Sequence, residues 1–275
     1  MKTILGVLLF FLSVLLFSCQ KEVDFTNPNT NTGNGDKLVK VVDKDGTDST
    51  VTTYSYDAQG RITEEKITGM WNGIDVGYTT KVVRNSSGII TSKIEIDPQF
   101  SVVDSIVTFF HYSSGKYTSS VSSITFFGFT SSDSTVYTYN SSGKIIRDET
   151  YLSINGSPYE LTLKNDYTYD AGGNLLSQKR SNYDLSTSTF TEEYTLSYTY
   201  DAKTSPLVLG NESIFMYILY FAGPNNPTGY NYVEPSSPMN NESAALTYTY
   251  NAANKPSTAV QTSGTSTFNI TFYYQ

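Results

Sequence analysis

The chain has one cysteine, one histidine and one tryptophan among 275 residues. A single cysteine excludes an intrachain disulfide, and a single histidine excludes the multi-histidine sites that hold zinc. The histidine, His111, alternates with Phe110 and Tyr112, so in a strand it faces away from their stripe, the position of a solvated side chain and not of a catalytic base. There is no glycine-rich phosphate loop and no Gly-x-Ser-x-Gly elbow. Adjacent acids, Glu64-Glu65 and Glu192-Glu193, point to opposite faces of a strand and form no acid–base pair by themselves. Charge is sparse and unbalanced. Eighteen Lys and Arg against 26 Asp and Glu give a net charge of −8. That balance argues against nucleic acid and against adsorption to anionic lipid.

Tyrosine, by contrast, is abundant, with 23 residues, and it is ordered. Tyr54-Ser-Tyr-Asp-Ala-Gln-Gly-Arg-Ile62, Tyr137-Thr-Tyr-Asn-Ser-Ser-Gly-Lys-Ile145 and Tyr167-Thr-Tyr-Asp-Ala-Gly-Gly-Asn-Leu175 are copies of one unit. Looser copies begin at Val82, Phe110, Tyr198 and Tyr248. The turn residues Asp57, Asn85, Ser113, Asn140, Asp170 and Asp201 lie 28, 28, 27, 30 and 31 positions apart by subtraction. A fixed period of this size marks a repeat architecture.

Each copy predicts a β-hairpin. Tyr-x-Tyr sends both rings to one face. Asp57, Asn85, Asn140 and Asp170 open the turn because their side chains bond the backbone two residues on. Gly60, Gly88, Gly143 and Gly173 take the left-handed position of a three-residue loop. Asn254 replaces that glycine in the last copy, which asparagine tolerates. Thr204 replaces it in the copy at Tyr198, which a β-branched residue does not. The regular hairpin is therefore expected to fail at Asp201, where the chain leaves the sheet. The Phe110 copy is one residue shorter and predicts a tighter turn.

The unit resembles the YD repeat of Rhs-type proteins, and Tyr54–Ile62 carries the resemblance most closely. The whole of 37–275 is similar to small YD-repeat lipoproteins of Gram-negative bacteria. The resemblance implies a β-shell and no particular activity. There are too few repeats for a closed cocoon, and no separate toxin domain.

The chain opens with a basic Met1-Lys2 and an apolar run, Ile4–Phe17, shorter than a membrane span. Leu16-Phe-Ser-Cys19 looks like a lipobox. The expectation is a signal peptide over 1–18 and diacylglyceryl attachment at Cys19. Gln20 after that cysteine implies outer-membrane sorting by resemblance, and the acidic Lys21-Glu-Val-Asp24 resembles a surface-export signal. The Asn/Thr/Gly-rich stretch to Asp36 reads as a tether of ~20–25 Å if it is a coil.

The expected fold is all-β: an antiparallel meander of long hairpins, roughly fifteen strands of 7–11 residues, forming a curled single sheet or a barrel-like shell. Trp71-Asn72-Gly73 and Ile154-Asn155-Gly156 supply Asn-Gly turns at the other end of the hairpins. A transmembrane barrel is disfavoured, because the strands pair aromatics with Thr, Ser, Lys and Asp and leave no lipid-facing band. An insertion, 207–243, breaks the pattern. Asn211–Phe221 predicts a short helix plugging the sheet, and Gly223–Met239 predicts a long loop carrying Tyr230 and Tyr232.

Tyr230, Tyr232 and Trp71 are the ligand-binding candidates, for glycan or peptide stacking. Asp43, Asp45 and Asp48 are candidate oxygen ligands for Ca2+, but their spacing is not that of an EF-hand and Asp45-Gly46 reads first as a plain hairpin turn, so no metal is expected. No cofactor is expected. The functional expectation is a non-enzymatic lipoprotein that binds a glycan or an envelope protein, contacts the membrane through Cys19 and takes no nucleic acid. The alternatives are a purely structural envelope subunit and a hydrolase using carboxylates from separate strands.

Overall fold

The computed structural model describes residues 37–71, 73–98, 105–209, 214–215 and 223–275. The expected signal peptide, Cys19 and the expected tether lie outside the described residues. Within them the chain is a closed antiparallel barrel of sixteen strands, each hydrogen-bonded to its neighbours in sequence. The first eight are β1 (Leu38–Asp45), β2 (Asp48–Tyr56), β3 (Ile62–Trp71), β4 (Ile74–Arg84), β5 (Ile90–Ile96), β6 (Ile106–Ser113), β7 (Lys116–Phe126) and β8 (Phe129–Tyr139). The rest are β9 (Ile145–Ile154), β10 (Glu160–Tyr169), β11 (Leu175–Asp184), β12 (Thr189–Thr204), β13 (Asn225–Val233), β14 (Glu242–Tyr250), β15 (Pro256–Ser263) and β16 (Ser266–Tyr274). β1 closes on β16, with Leu38 opposite Tyr274 and Asp43 opposite Ile270. Closure leaves no edge strand for another chain to extend.

One rim carries the repeat turns and the other the short reverse turns. At the repeat rim Gly60, Gly88, Gly143 and Gly173 sit at φ of +81°, +83°, +79° and +92°, and Asn254 at +57°. Each turn costs little because glycine, or asparagine, accepts that region. The shorter Phe110 copy turns on Ser114 and Gly115, with Ser113 paired to Lys116. At the far rim Asn155 and Gly156 both take positive φ, as a type I′ turn requires.

The wall is sided by strand alternation. Tyr54, Tyr137, Tyr167, Tyr198 and Tyr248 point into the lumen, where Tyr167 and Tyr198 are buried. Their chain neighbours Ser55, Thr138, Thr168, Thr199 and Thr249 are exposed on the outer face. Apolar side chains on that face include Phe109, Val136 and Leu176.

The insertion departs from expectation. The strand does not end at Asp201. β12 runs on to Thr204, with register shifts that absorb the misfit, and pairs with β13. The predicted long loop is largely strand: Asn225–Val233 adds to the sheet despite Pro227 and Gly229, because Tyr198 and Leu196 pair opposite Tyr230 and Tyr232. The predicted helix falls mainly outside the described residues. Among those that are described, Ile214 and Phe215 lie in a 3-10 turn, and a second such turn spans Pro238–Asn240. Phe215 and Leu207 are buried against Leu38, Ile62, Ile90, Phe110 and Tyr117, so these two residues of the insertion pack into the repeat rim.

Candidate functional site

The repeat rim is built turn by turn. Asp57 Oδ1 accepts the Gln59 N–H at 3.0 Å and the Arg61 N–H at 2.9 Å, while the Asp57 N–H donates to the Arg61 carbonyl at 2.9 Å. Asn85, Asn140 and Asn251 repeat the arrangement. At Asp170 the carboxylate holds Asn174 through both its N–H and its amide. These donors stabilise the charged form, so the Asp57 and Asp170 carboxyls lie below the usual range.

Behind the turns stands a collar of tyrosines. In most units the second tyrosine reaches across to the neighbouring strand, the one that starts the preceding hairpin. Tyr139 donates to the Tyr117 carbonyl at 2.7 Å, Tyr169 to Ile145 at 2.8 Å and Tyr200 to Leu175 at 2.8 Å. Tyr56 and Tyr274 do the same to Leu38 and Pro256, while in the last unit the first tyrosine, Tyr248, donates to the Pro227 carbonyl and the second, Tyr250, to Asp201. Where the repeat is looser the partner changes and the junction is kept. Arg84 Nη1 donates to the Ile62 carbonyl at 2.6 Å, and the Ile90 N–H donates to the Tyr117 hydroxyl at 3.0 Å. Every junction around the rim is thus tied by a side chain to backbone. Burial raises the phenols: Tyr56, Tyr139 and Tyr169 are pushed up to about 12.

Outside the collar, a cation covers tyrosine after tyrosine. Lys37 lies over Tyr56, Lys116 over Tyr139, Lys144 over Tyr169, Lys203 over Tyr250 and Lys255 over Tyr274, with ammonium nitrogens 5.0 to 5.9 Å from the ring centres. Each pairing contributes about 0.5–1 kcal/mol at an exposed site.

Deeper in the lumen the polar groups pair with one another. Tyr167 and Asn165 donate to Asp148 at 2.6 and 2.8 Å. Arg180 ion-pairs with Glu193 at 2.8 Å, and Lys93 with Glu95 at 3.0 Å. Burial pushes the Glu65, Asp133 and Asp148 carboxyls up. The adjacent glutamates do separate: Glu192 bonds Lys179 at 2.6 Å on the outer face, while Glu193 bulges inward.

The other sequence candidates are dispersed. Tyr230 packs in the lumen with Tyr167 and Tyr198, and its hydroxyl donates to Glu242 at 2.7 Å. The Tyr232 ring packs on Tyr194 at 5.2 Å. Neither sits on a loop. Trp71, at the far rim, stacks on Phe268 of β16 at 5.2 Å. Asp45 and Asp48 face each other across a two-residue turn at Gly46, and Asp48 accepts the Gly73 N–H at 2.5 Å. Asp43 lies in the wall, its carboxyl pushed up to about 6 by burial and then by Asp45. Among the described residues no cluster of His, Cys, Asp or Glu is placed to hold a metal. Sequence reading missed the lysine ring, although Lys144 and Lys255 each follow the turn glycine or asparagine directly.

The RHS Repeat family matches residues 33–68, which span the first repeat turn. No curated protein matches the chain. In fold the chain is porin-like. A porin-like protein from Bacteroides vulgatus aligns over 87% of this chain and 98% of its own, at 15% identity and a TM-score of 0.52. A porin-like protein from Bacteroides uniformis aligns over 86% and 98%, at 13% identity and a TM-score of 0.53. At these identities the likeness is one of fold.

Proposed function

We propose that this chain is an outer-membrane lipoprotein, anchored through Cys19, whose barrel stands in water as a non-enzymatic binding or scaffold module. The observation that carries this reading is the sidedness of the wall. The lumen holds Tyr167, Tyr198 and Phe215, while Ser55, Thr138, Thr168 and Thr199 face outward. A lipid-facing barrel has the reverse pattern. The second reading, a structural subunit of an envelope assembly, draws on the far rim, where Phe127 is 81% and Phe129 65% exposed.

The test is fractionation of cells expressing Cys19→Ser beside the native chain, with radiolabelled palmitate. The native chain takes up label and stays with the outer membrane. The variant loses label and moves to the soluble periplasmic fraction. A variant that still resists alkaline carbonate extraction from the membrane overturns the reading in favour of an integral barrel.

A further inference from the structure

The net charge of the chain hides a segregation. The repeat rim carries Lys37, Arg61, Lys116, Lys144, Lys203 and Lys255. The side-chain carboxylates among the described residues of that rim are Asp57, Asp170 and Asp201. Each is committed locally: Asp57 to Arg61 and its own turn, Asp170 to Asn174, and Asp201 to Asn226 and Tyr250. The opposite rim carries Asp45, Asp48, Asp184, Glu160, Glu234 and Glu242, with Lys44 as its cation. The barrel is therefore basic at one end and acidic at the other.

The chain also enters and leaves at the basic end. Lys37 and Gln275 exchange two backbone hydrogen bonds there, at 3.3 and 3.0 Å. Residues 20–36 separate Lys37 from Cys19, a reach of at most roughly 60–65 Å fully extended. Whatever surface holds Cys19 is therefore presented first with the lysine ring. The spacing of the ring is fixed, because Lys37, Lys116, Lys144 and Lys255 are seated on tyrosines whose hydroxyls are bound to backbone, and Lys203 on Tyr250, whose hydroxyl is bound to Asp201.

We infer that the repeat rim is a membrane-docking face, its lysine ring settling on the phosphates of anionic phospholipid headgroups. The identity of the surface rests on anchoring at Cys19, while the affinity of the rim for it does not. Clustered lysines near an anionic bilayer each add to binding, and the effect decays within a Debye length. The acidic far rim is repelled by the same surface, so the charges orient the barrel as well as hold it. The short reverse turns, with Phe127 and Phe129, then face away from the bilayer.

The experiment uses the mature chain from residue 19 with Cys19→Ser, so that no acyl chain contributes, cosedimented with vesicles. Phosphatidylcholine vesicles are compared with vesicles containing 30% phosphatidylglycerol, at about 50 and 300 mM salt. The expected result is binding to the anionic vesicles alone, weakening severalfold at the higher salt. Lys116→Glu/Lys144→Glu/Lys255→Glu lowers it at least tenfold. The milder Lys→Gln triple at the same positions lowers it less and guards against a folding defect, which circular dichroism reads directly. Lys44→Glu/Lys66→Glu/Lys81→Glu, on the wall and far rim, leaves it within about twofold. No binding to anionic vesicles at the lower salt, equal binding to both vesicle types, or equal losses from the two triple reversals each overturns the inference. None of these outcomes bears on whether Cys19 is acylated.

Discussion

The Tyr200 hydroxyl donates to the Leu175 carbonyl at 2.8 Å, 25 positions earlier in the chain. It ties the end of β12 to the start of β11, the neighbouring strand in the barrel. The bond lies in a half-buried setting, so removing the hydroxyl leaves a carbonyl without its partner. Tyr200→Phe is expected to cost about 1–2 kcal/mol in urea unfolding. Thr199→Val, one residue away on the outer face, is expected to stay within about 0.5 kcal/mol. Equal effects at the two positions would mean that the collar does not hold the rim.

The repeat turns predict a second contrast. Gly143 stands at φ +79° with open space around it, so alanine meets no clash and pays only for the left-handed backbone. Gly143→Ala is expected to lose about 1–2 kcal/mol. Asn254→Gly, at φ +57°, is expected to be neutral or slightly stabilising. Thermal melts of the two variants check both signs.

Phe215 is 2% exposed and Phe127 is 81% exposed. Phe215→Ala opens a cavity in the repeat rim and is expected to cost about 3–5 kcal/mol. Phe127→Ser loses no buried contact of that kind and is expected to leave the melting temperature within about 2 °C.

Asp43 gives a pH dependence of definite sign. Burial and Asp45 raise its carboxyl to about 6, so the folded chain binds a proton there that the unfolded chain releases near pH 4. Its contribution to stability is present below pH 4 and is lost as pH rises from 4 to 6. Asp43→Asn removes that slope. Denaturant titrations of the native chain and the variant between pH 4 and 7 should therefore diverge, with the variant gaining relative stability as pH rises. Parallel curves would assign Asp43 an ordinary solvated carboxyl.

What was legible in the sequence was local. Asp57, Gly60 and the alternation of Tyr54 with Tyr56 state a turn and a face within nine residues, and the structure honours both. Closure was not legible, since the pairing of Leu38 with Tyr274 spans nearly the whole chain. β13 was missed because Pro227 and Gly229 weaken any strand signal, and what holds Tyr230 in the sheet is Tyr198, supplied by another strand. The lysine ring was missed for a different reason. Lys37, Lys116 and Lys255 are far apart in sequence, and a summed charge of −8 averages over the rim that gathers them.

The most direct test of the proposal that the barrel wall faces water is sedimentation velocity of the mature chain carrying Cys19→Ser, in buffer without detergent. The account predicts a folded, β-rich species that remains in solution and sediments as a discrete boundary. A chain that aggregates without detergent, and becomes monodisperse only when detergent is added, would place lipid against the outer wall and contradict it.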